Sequence, residues 1–186
     1  MKRAIVTPPA LSPAALSELK SWLGITSTRE DAELTALLGA ALELCEGFIG
    51  AMPLQSGCEE TLAAGRDWQR LNTRPIQAIS GISEIALNGT RTVLAASAYE
   101  IDLDTDGGGL VRLLVPLIQK RIVVRFTAGL ASDWAALPEA LSHGILRLAA
   151  SQHRLRDDRP GGDRQMAFPP AAVAALWRPW RRMRVA

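Results

Sequence analysis

The sequence predicts an α+β fold, with helices near both ends of the chain and a β-rich region between them. Apolar residues recur at helical spacing in residues 12–49 and again after Pro138. From about Leu54 to Leu130, short segments rich in β-branched residues alternate with Gly, Asn, Asp and Pro. This order lacks the β-α-β alternation that would indicate a parallel sheet.

The composition is that of a globular protein. Among 186 residues, 48% are apolar and 22% are charged, which excludes wholesale disorder. No apolar run approaches the roughly 20 residues of a membrane-spanning helix. The apolar stretch Ala4–Val6 ends at Thr7 and two prolines, short of the roughly 7–15 residues of an export signal, so we expect a cytoplasmic start. Two cysteines, Cys45 and Cys58, are too few for a disulfide framework.

The N-terminal region predicts an arm followed by two helices. After a Pro-containing arm over residues 1–11, Ser12 precedes a proline and should cap the first helix, which Gly24 ends. Thr28 should cap the second helix, with Asp31 completing a capping box. The second helix carries a one-sided apolar stripe, made of Leu34, Leu37, Leu38, Ala41, Leu42, Cys45, Phe48 and Ile49.

Seven short strands are expected in the β-rich region. Asn88-Gly89 should form a tight hairpin turn, because both residues tolerate positive φ. Residues 104–109, with three consecutive glycines, should form a longer turn. The predicted strands are Glu60–Ala64, Trp68–Thr73, Ile79–Leu87, Thr92–Leu94, Tyr99–Leu103, Leu110–Val115 and Arg121–Thr127.

Helical spacing returns at Pro138 and fades into the polar stretch 156–162, which has the composition of a linker. A last short helix should begin near Pro170 and be interrupted by Pro179. We therefore divide the chain into 1–51 (arm and helical pair), 52–130 (β-rich insertion), 131–159 (long helix) and 160–186 (linker and C-terminal segment).

The sequence contains no constellation typical of an enzyme. His143 and His153 lie ten residues apart on one predicted helix and cannot share a metal ion as an i, i+4 pair could. Asp102, Asp104 and Asp106 are compatible with a weak divalent-cation site, although a solvated acidic turn is far more common. Nucleophile-elbow, zinc-protease and phosphate-loop motifs are absent. We expect no enzymatic activity, no metal and no cofactor.

Charge and aromatic residues concentrate at the C-terminus. Residues 131–186 carry nine basic and five acidic side chains, and residues 176–184 alone contain two tryptophans and four arginines. Trp and Arg are enriched in interface hot spots, which favours docking into a groove on a partner protein. Two alternatives are contact with nucleic acid and packing against the chain's own core. The last helix is too short to be stable alone, so a tertiary or quaternary contact must order it.

Several motifs, in order, resemble the head–tail connector (adaptor) proteins of long-tailed bacteriophages and gene transfer agents. The clearest is the strand 121–127 ending in Phe126-Thr127-Ala128-Gly129, followed by a helix that Pro138 initiates and that closes around residues 153–159. Residues 19–23 and 31–34 are similar to the opening helices of that family. Residues 74–82 are similar to its first long strand, and residues 176–184 to its final aromatic-Arg-Arg segment.

The resemblance implies a bundle of four helices (two N-terminal, one long and one C-terminal) with an inserted antiparallel β unit. It also implies a structural subunit that forms a dodecameric ring under the portal, joins capsid to tail and continues the DNA channel. Its partners would be the portal protein, identical subunits, a tail-side stopper or terminator and, transiently, packaged DNA, with no membrane. The protein would be cytoplasmic during assembly and then part of the particle.

For this role we expect two groups of contact residues. Trp177 and Trp180 would be anchors buried by the portal or by a neighbouring subunit, with arginines pairing to partner carboxylates. The alternative function is a small basic nucleic-acid-binding protein that uses the same C-terminus. The expected interface residues are Leu176, Trp177, Arg178, Trp180, Arg181, Arg182 and Arg184. The expected DNA-channel or subunit contacts are Arg154, Arg156, Arg159 and Arg164.

Overall fold

The computed structural model describes residues 3–157 and 169–181. They form two compact units. The helical unit consists of residues 10–53 together with the described part of 131–181, and the β unit consists of residues 3–9 and 54–130. The secondary structure is mixed and its sheets are antiparallel, so the predicted α+β class is confirmed. None of the described helices is long and apolar enough to cross a membrane.

Four α-helices make up the helical unit. Helix α3 packs against each of the other three, and the buried face that it shares with them includes Leu141, Ile145 and Leu148. A single 3₁₀ turn, Arg178–Trp180, follows the last helix. The α-helices are α1 (Pro13–Leu23), α2 (Asp31–Ile49), α3 (Glu139–Asp157) and α4 (Ala171–Trp177).

The ends of α1 are those predicted from the sequence. The Ser12 hydroxyl accepts a hydrogen bond from the backbone N–H of Ala14 at 3.1 Å, and Pro13 occupies the first turn. Gly24 ends the helix with φ 74°, a left-handed conformation that costs glycine little.

The predicted capping box of α2 is wrong. The helix begins at Asp31 rather than after Thr28, and its N-cap residue, Glu30, makes no side-chain capping bond. The Asp31 carboxylate instead accepts a hydrogen bond from Lys20 Nζ on α1 at 2.6 Å. A tertiary ion pair between two helices has therefore replaced the local cap that the motif predicts.

The β unit contains two antiparallel sheets. The five-stranded sheet has the order β1-β2-β8-β4-β5, and the three-stranded sheet has the order β3-β7-β6. Strands β2 and β8 are central and largely buried. The strands are β1 (Arg3–Thr7), β2 (Ser56–Ala63), β3 (Gln69–Arg70), β4 (Ile76–Ile85), β5 (Arg91–Val93), β6 (Tyr99–Leu103), β7 (Gly109–Leu113) and β8 (Arg121–Ala128).

The N-terminal arm is a strand rather than part of the helical pair. Residues Arg3–Thr7 pair antiparallel with β2, with Arg3 opposite Glu60 and Ile5 opposite Cys58. The sequence grouped this arm with residues 12–51, because five residues followed by two prolines carry little local strand signal. Its long-range partner decides the conformation.

Both predicted turns join antiparallel strands, but at the first of them only Gly89, and not Asn88, adopts positive φ. Gly89 has φ 86°, and the turn at Asn88-Gly89 joins β4 to β5. The glycine-rich turn joins β6 to β7, with the Asp104 N–H donating to the Gly108 carbonyl at 2.9 Å. Gly107 has φ 72° there, and a Cβ at this position would lie 2.6 Å from Pro75 Cβ.

The predicted strand Trp68–Thr73 shrinks to Gln69–Arg70 because its second half is hydrogen-bonded to a carboxylate. Buried Glu60 accepts hydrogen bonds from the backbone N–H of Asn72 at 3.0 Å and from that of Thr73 at 2.9 Å. The Thr73 hydroxyl donates to the same carboxylate at 2.6 Å. Backbone donors bound in this way are not available to a strand ladder.

Candidate partner-binding surfaces

The C-terminal segment, predicted to need a partner, packs against its own helical unit. Trp177 is fully buried, and its indole N–H donates to the Leu141 carbonyl at 3.4 Å. Its ring lies 5.8 Å from that of Phe48 on α2, tilted by 55°. Gly144 on α3 makes room for the indole, because a Cβ there would lie 2.8 Å from Trp177 Cδ1.

The prediction that Trp177 is an anchor for a partner is therefore wrong. A tertiary contact orders α4, which was one of the alternatives left open by the sequence. Sequence reasoning missed this packing because Gly144 and Trp177 are 33 residues apart. A glycine inside a helix does not indicate which side chain will pack against it.

The end of the segment remains accessible. Trp180 is 38% exposed, Arg178 and Arg181 are exposed, and Leu176 is half-buried. The Arg181 guanidinium carbon lies 5.6 Å from the centre of the Phe48 ring, at cation–π distance. Two further predicted interface residues, Arg182 and Arg184, lie outside the described residues.

Of the predicted DNA-channel residues, the structure describes two. Arg156 forms an ion pair with Glu33 of α2, so its charge is engaged within the helical unit. Arg154 is exposed, and no ion pair to it occurs in the described part of the chain. Arg159 and Arg164 lie outside the described residues.

The exposed face of α3 forms a stripe that sequence reasoning did not single out. His143, Arg147 and Arg154 are all exposed, and their spacings of four and seven residues place them on one side of the helix. The His143 ring meets the edge of Trp22 on α1, with 5.2 Å between ring centroids, and Trp22 is 44% exposed. We call His143, Arg147 and Arg154 the α3 stripe. The feature that identifies these residues is their exposure to solvent, which is known only once α3 is packed against its neighbouring helices.

His153 lies on another side of α3. Its Nε2 is 2.9 Å from a carboxylate oxygen of Glu30, just before α2. At about 100° per residue, the ten residues that separate them place His143 and His153 on different sides of the helix, and the two rings contact different elements, Trp22 of α1 and Glu30.

The acidic turn is occupied by internal contacts. The Asp104 carboxylate accepts from the Gly108 N–H at 2.6 Å and pairs with Arg70 at 2.9 Å, and these two donors hold its pKa below the usual range. Among the described residues, no group of three or more His, Cys, Asp or Glu side chains is arranged to hold a metal ion. These contacts of Asp104 therefore stabilise the turn between β6 and β7.

An ion-pair cluster centred on buried Glu59 links three strands of the β unit. Glu59 on β2 accepts from Arg125 Nη2 on β8 at 2.9 Å and from Arg91 Nη1 on β5 at 2.7 Å. Burial acts to raise the pKa of Glu59, but the two guanidinium groups outweigh it and the pKa is lowered. This cluster ties the sheet together across its central strand.

Both cysteines are buried, and neither forms a disulfide. Burial, with a smaller contribution from the neighbouring Glu46, raises the pKa of the Cys45 thiol to about 12. A thiol held in its protonated form is a poor nucleophile and a poor metal ligand, so Cys45 is a packing residue.

Comparison with known proteins gives no match among protein-family models or curated proteins. Solved gene transfer agent (GTA) particles do match. A chain in the neck of a native GTA particle, computed with C12 symmetry, is 30% identical, with a TM-score of 0.74. The match covers 100% of this chain and 98% of that one.

This chain belongs to the family of GTA neck proteins. A chain from the neck of an empty GTA particle, computed with C6 symmetry, has a TM-score of 0.75 at 28% identity. A chain from the virion of a native GTA particle has a TM-score of 0.73 at 28% identity. Each match covers 100% of this neck protein and 98% of the other chain. The resemblance seen in the sequence is thus confirmed at the level of a phage-like neck protein, a structural component of a particle.

Proposed function

We propose that this neck protein is a connector subunit, which forms a ring under the portal, joins the capsid to the tail and continues the DNA channel. The observation that carries the proposal is the full-length match, at 30% identity, to a neck chain in a particle computed with C12 symmetry. The role is structural, and the subunit would assemble in the cytoplasm before it becomes part of the particle.

A ring of identical subunits needs head-to-tail contacts, so each subunit must offer two different surfaces to its neighbours. Twelve copies would match the symmetry of that neck. On its other side, the ring would meet a tail-side stopper or terminator protein. No membrane takes part in this role.

The portal contact is the C-terminal docking surface, which we define as Arg178, Trp180 and Arg181. These residues are exposed at the end of a segment that Trp177 fixes to the helical unit. A tryptophan flanked by arginines fits a partner groove lined with carboxylates, because guanidinium–carboxylate pairs are strong and directional. Arg182 and Arg184 would extend the surface by sequence. Burial of Trp177 does not weaken this proposal, since it presents the residues that follow on a fixed support.

Contact with packaged DNA would use the α3 stripe. Arg147 and Arg154 are exposed, and no ion pair to either occurs among the described residues. A guanidinium group in this state is available to a phosphate. Arg156 is a weaker candidate because Glu33 already neutralises its charge.

The test is assembly with the cognate portal, observed by electron microscopy and by co-sedimentation. Trp180→Ala should weaken portal attachment by at least tenfold, as loss of a hot-spot tryptophan does. Trp68→Ala is the matched control, because Trp68 is 42% exposed but lies in the β unit. Equal attachment of wild type and Trp180→Ala would contradict the docking surface. Failure of the wild type to form any ring with the portal would contradict the connector role.

The alternative function, a free nucleic-acid-binding protein, makes a different prediction. The isolated chain would then bind duplex DNA tightly at about 0.15 M salt, with an affinity that falls steeply as salt rises. For a connector we expect weak binding by the single subunit. A gel-shift titration of the purified chain separates the two.

A further inference from the structure

Four strands in the described part of the β unit end a sheet and have a strand partner on one side, and the two longest of these are β1 and β6. Among the described strands, β1 ends the five-stranded sheet and β6 ends the three-stranded sheet. Each has a partner on one side, β2 for β1 and β7 for β6. The open side of such a strand presents backbone N–H and C=O groups that can pair with another chain.

The two edges match in length and in exposed apolar surface. Both strands have five residues. On β1, Ile5 and Val6 are 45% and 51% exposed, and on β6, Ile101 and Leu103 are 43% and 42% exposed. The other sheet ends, β3 and β5, have two and three residues and offer a much shorter ladder.

The two edges also carry opposite charge. Strand β1 contains one cation, Arg3, and no acidic residue. Residues 99–106 contain four carboxylates and no cation. Arg112 pairs with Glu100 and Arg70 with Asp104, whereas no ion pair to Asp102 occurs among the described residues. Cross-strand pairs of opposite charge stabilise a sheet, and like charges opposite each other destabilise it.

We propose that the open edge of β1 in one subunit adds to the open edge of β6 in the next copy of the same chain. This inference rests on the proposed ring, since it names the contact between neighbouring subunits. Two different edges make a heterologous contact, which repeats from copy to copy until the ring closes. Backbone hydrogen bonds hold the added strand, and the exposed apolar side chains lose water as the two edges meet.

Chemical cross-linking tests the contact. Val6→Cys and Leu103→Cys each place a thiol on one of the two edges at an exposed position. The double variant, assembled with the portal and treated with a short bis-maleimide, should give a ladder of multimers on a denaturing gel. Each single variant should give none. The native thiols are buried, so wild type should also remain uncross-linked.

The outcomes separate this inference from the proposed function. Rings in the micrographs together with a ladder support the edge contact. Rings without a ladder overturn the edge contact and leave the connector role intact. Dimers from either single variant overturn it as well, because they show like edges meeting. The absence of any ring from the unmodified protein with its portal would contradict both.

Charge reversal gives a second measurement that needs no cross-linker. Asp102→Lys should raise the subunit concentration at half-assembly by roughly 1.5- to 5-fold per lost contact. Asp67→Lys makes the same charge change at an exposed site away from both edge strands, and should leave that concentration unchanged. Equal behaviour of the two variants would contradict the charge complementarity of the edges.

Discussion

The Trp177 indole lies directly on Gly144. A Cβ atom added at Gly144 would lie 2.9 Å from Trp177 Cε2. This contact fixes α4, a helix of seven residues, to α3. A helix so short has no stability of its own in water, so its position depends on this tertiary packing. The residues that follow, including exposed Trp180, thereby leave the helical unit from a fixed point.

We expect Gly144→Ala to destabilise the protein by about 1–3 kcal/mol, because the added methyl group overlaps the indole and forces it to move. Urea unfolding followed by tryptophan fluorescence measures this, and the native emission should shift as Trp177 is displaced. Gly47→Ala on α2 is the control. A Cβ at Gly47 meets nothing within 4 Å, so this change should stabilise by up to about 1 kcal/mol. Equal effects at the two positions would contradict the packing.

Trp177→Ala and Trp180→Ala should differ in kind. Trp177 is fully buried, so its removal should cost about 3–5 kcal/mol of unfolding free energy. Trp180 is 38% exposed, so its removal should change the unfolding free energy by about 1 kcal/mol or less while weakening portal attachment. Comparing unfolding curves with portal co-sedimentation distinguishes the two. A strongly destabilised Trp180→Ala would show that Trp180 serves the fold.

Gly129 ends β8 where two segments of backbone come close together. It has φ 152°, and a Cβ there would overlap the backbone of Gln55. Its N–H donates to the Pro75 carbonyl at 2.9 Å, and its carbonyl accepts from Gln77 Nε2 at 2.8 Å. Gly129→Ala should therefore lower the free energy of unfolding by more than about 2 kcal/mol, because the backbone of Gln55 cannot move aside easily. Urea unfolding measures this change.

The control for that substitution is Gly81→Ala on β4. A Cβ at Gly81 would meet nothing within 4 Å, so the free energy of unfolding of this variant should lie within about 0.5 kcal/mol of that of wild type. A Gly129→Ala protein as stable as Gly81→Ala would contradict the close approach.

The Glu59 cluster should contribute stability that depends on pH. Two guanidinium groups lower the pKa of Glu59 in the folded state against the effect of burial. The contribution is therefore complete above the unfolded pKa, about 4.3, and is lost as pH falls through the lower folded value. Glu59→Gln should cost about 1–2 kcal/mol near pH 7, since both arginines are partly solvated.

Urea unfolding from pH 7 down to about pH 3 measures this dependence, and the difference between wild type and Glu59→Gln should shrink towards the acid end. Glu43→Gln, an exposed position on α2, should change stability by less than about 0.5 kcal/mol at every pH. A difference that is constant with pH would rule out a titrating contribution from Glu59.

Cys45 should be inert in the folded protein. Burial raises the pKa of its thiol to about 12, so almost no reactive thiolate is present at neutral pH. Burial also keeps reagents away from the sulfur. We expect no maleimide labelling at pH 7 under native conditions, and labelling of both cysteines in denaturant, measured by mass spectrometry. Rapid native labelling would show that the interior opens easily.

The sequence alone determined the α+β class, the approximate positions of the four helices and the turns at Asn88-Gly89 and 104–109. These features depend on local signals: the 3.6-residue apolar period, a capping serine, and glycines that adopt positive φ. The strand Tyr99–Leu103 has the predicted bounds. The order of motifs also led to a phage-like neck protein, which the full-length similarity supports.

Tertiary structure decided what local signals do not encode. Lys20 reaches Asp31 and removes a predicted cap, Glu60 binds residues that would otherwise extend a strand, and β1 exists because β2 lies beside it. Above all, Gly144 makes room for the Trp177 indole. The C-terminal segment, for which the sequence favoured docking on a partner, therefore has Trp177 in the core and Trp180 at the surface. The physical reason is that a side chain gains from burial wherever a complementary space exists. That space is built by residues far away in the chain.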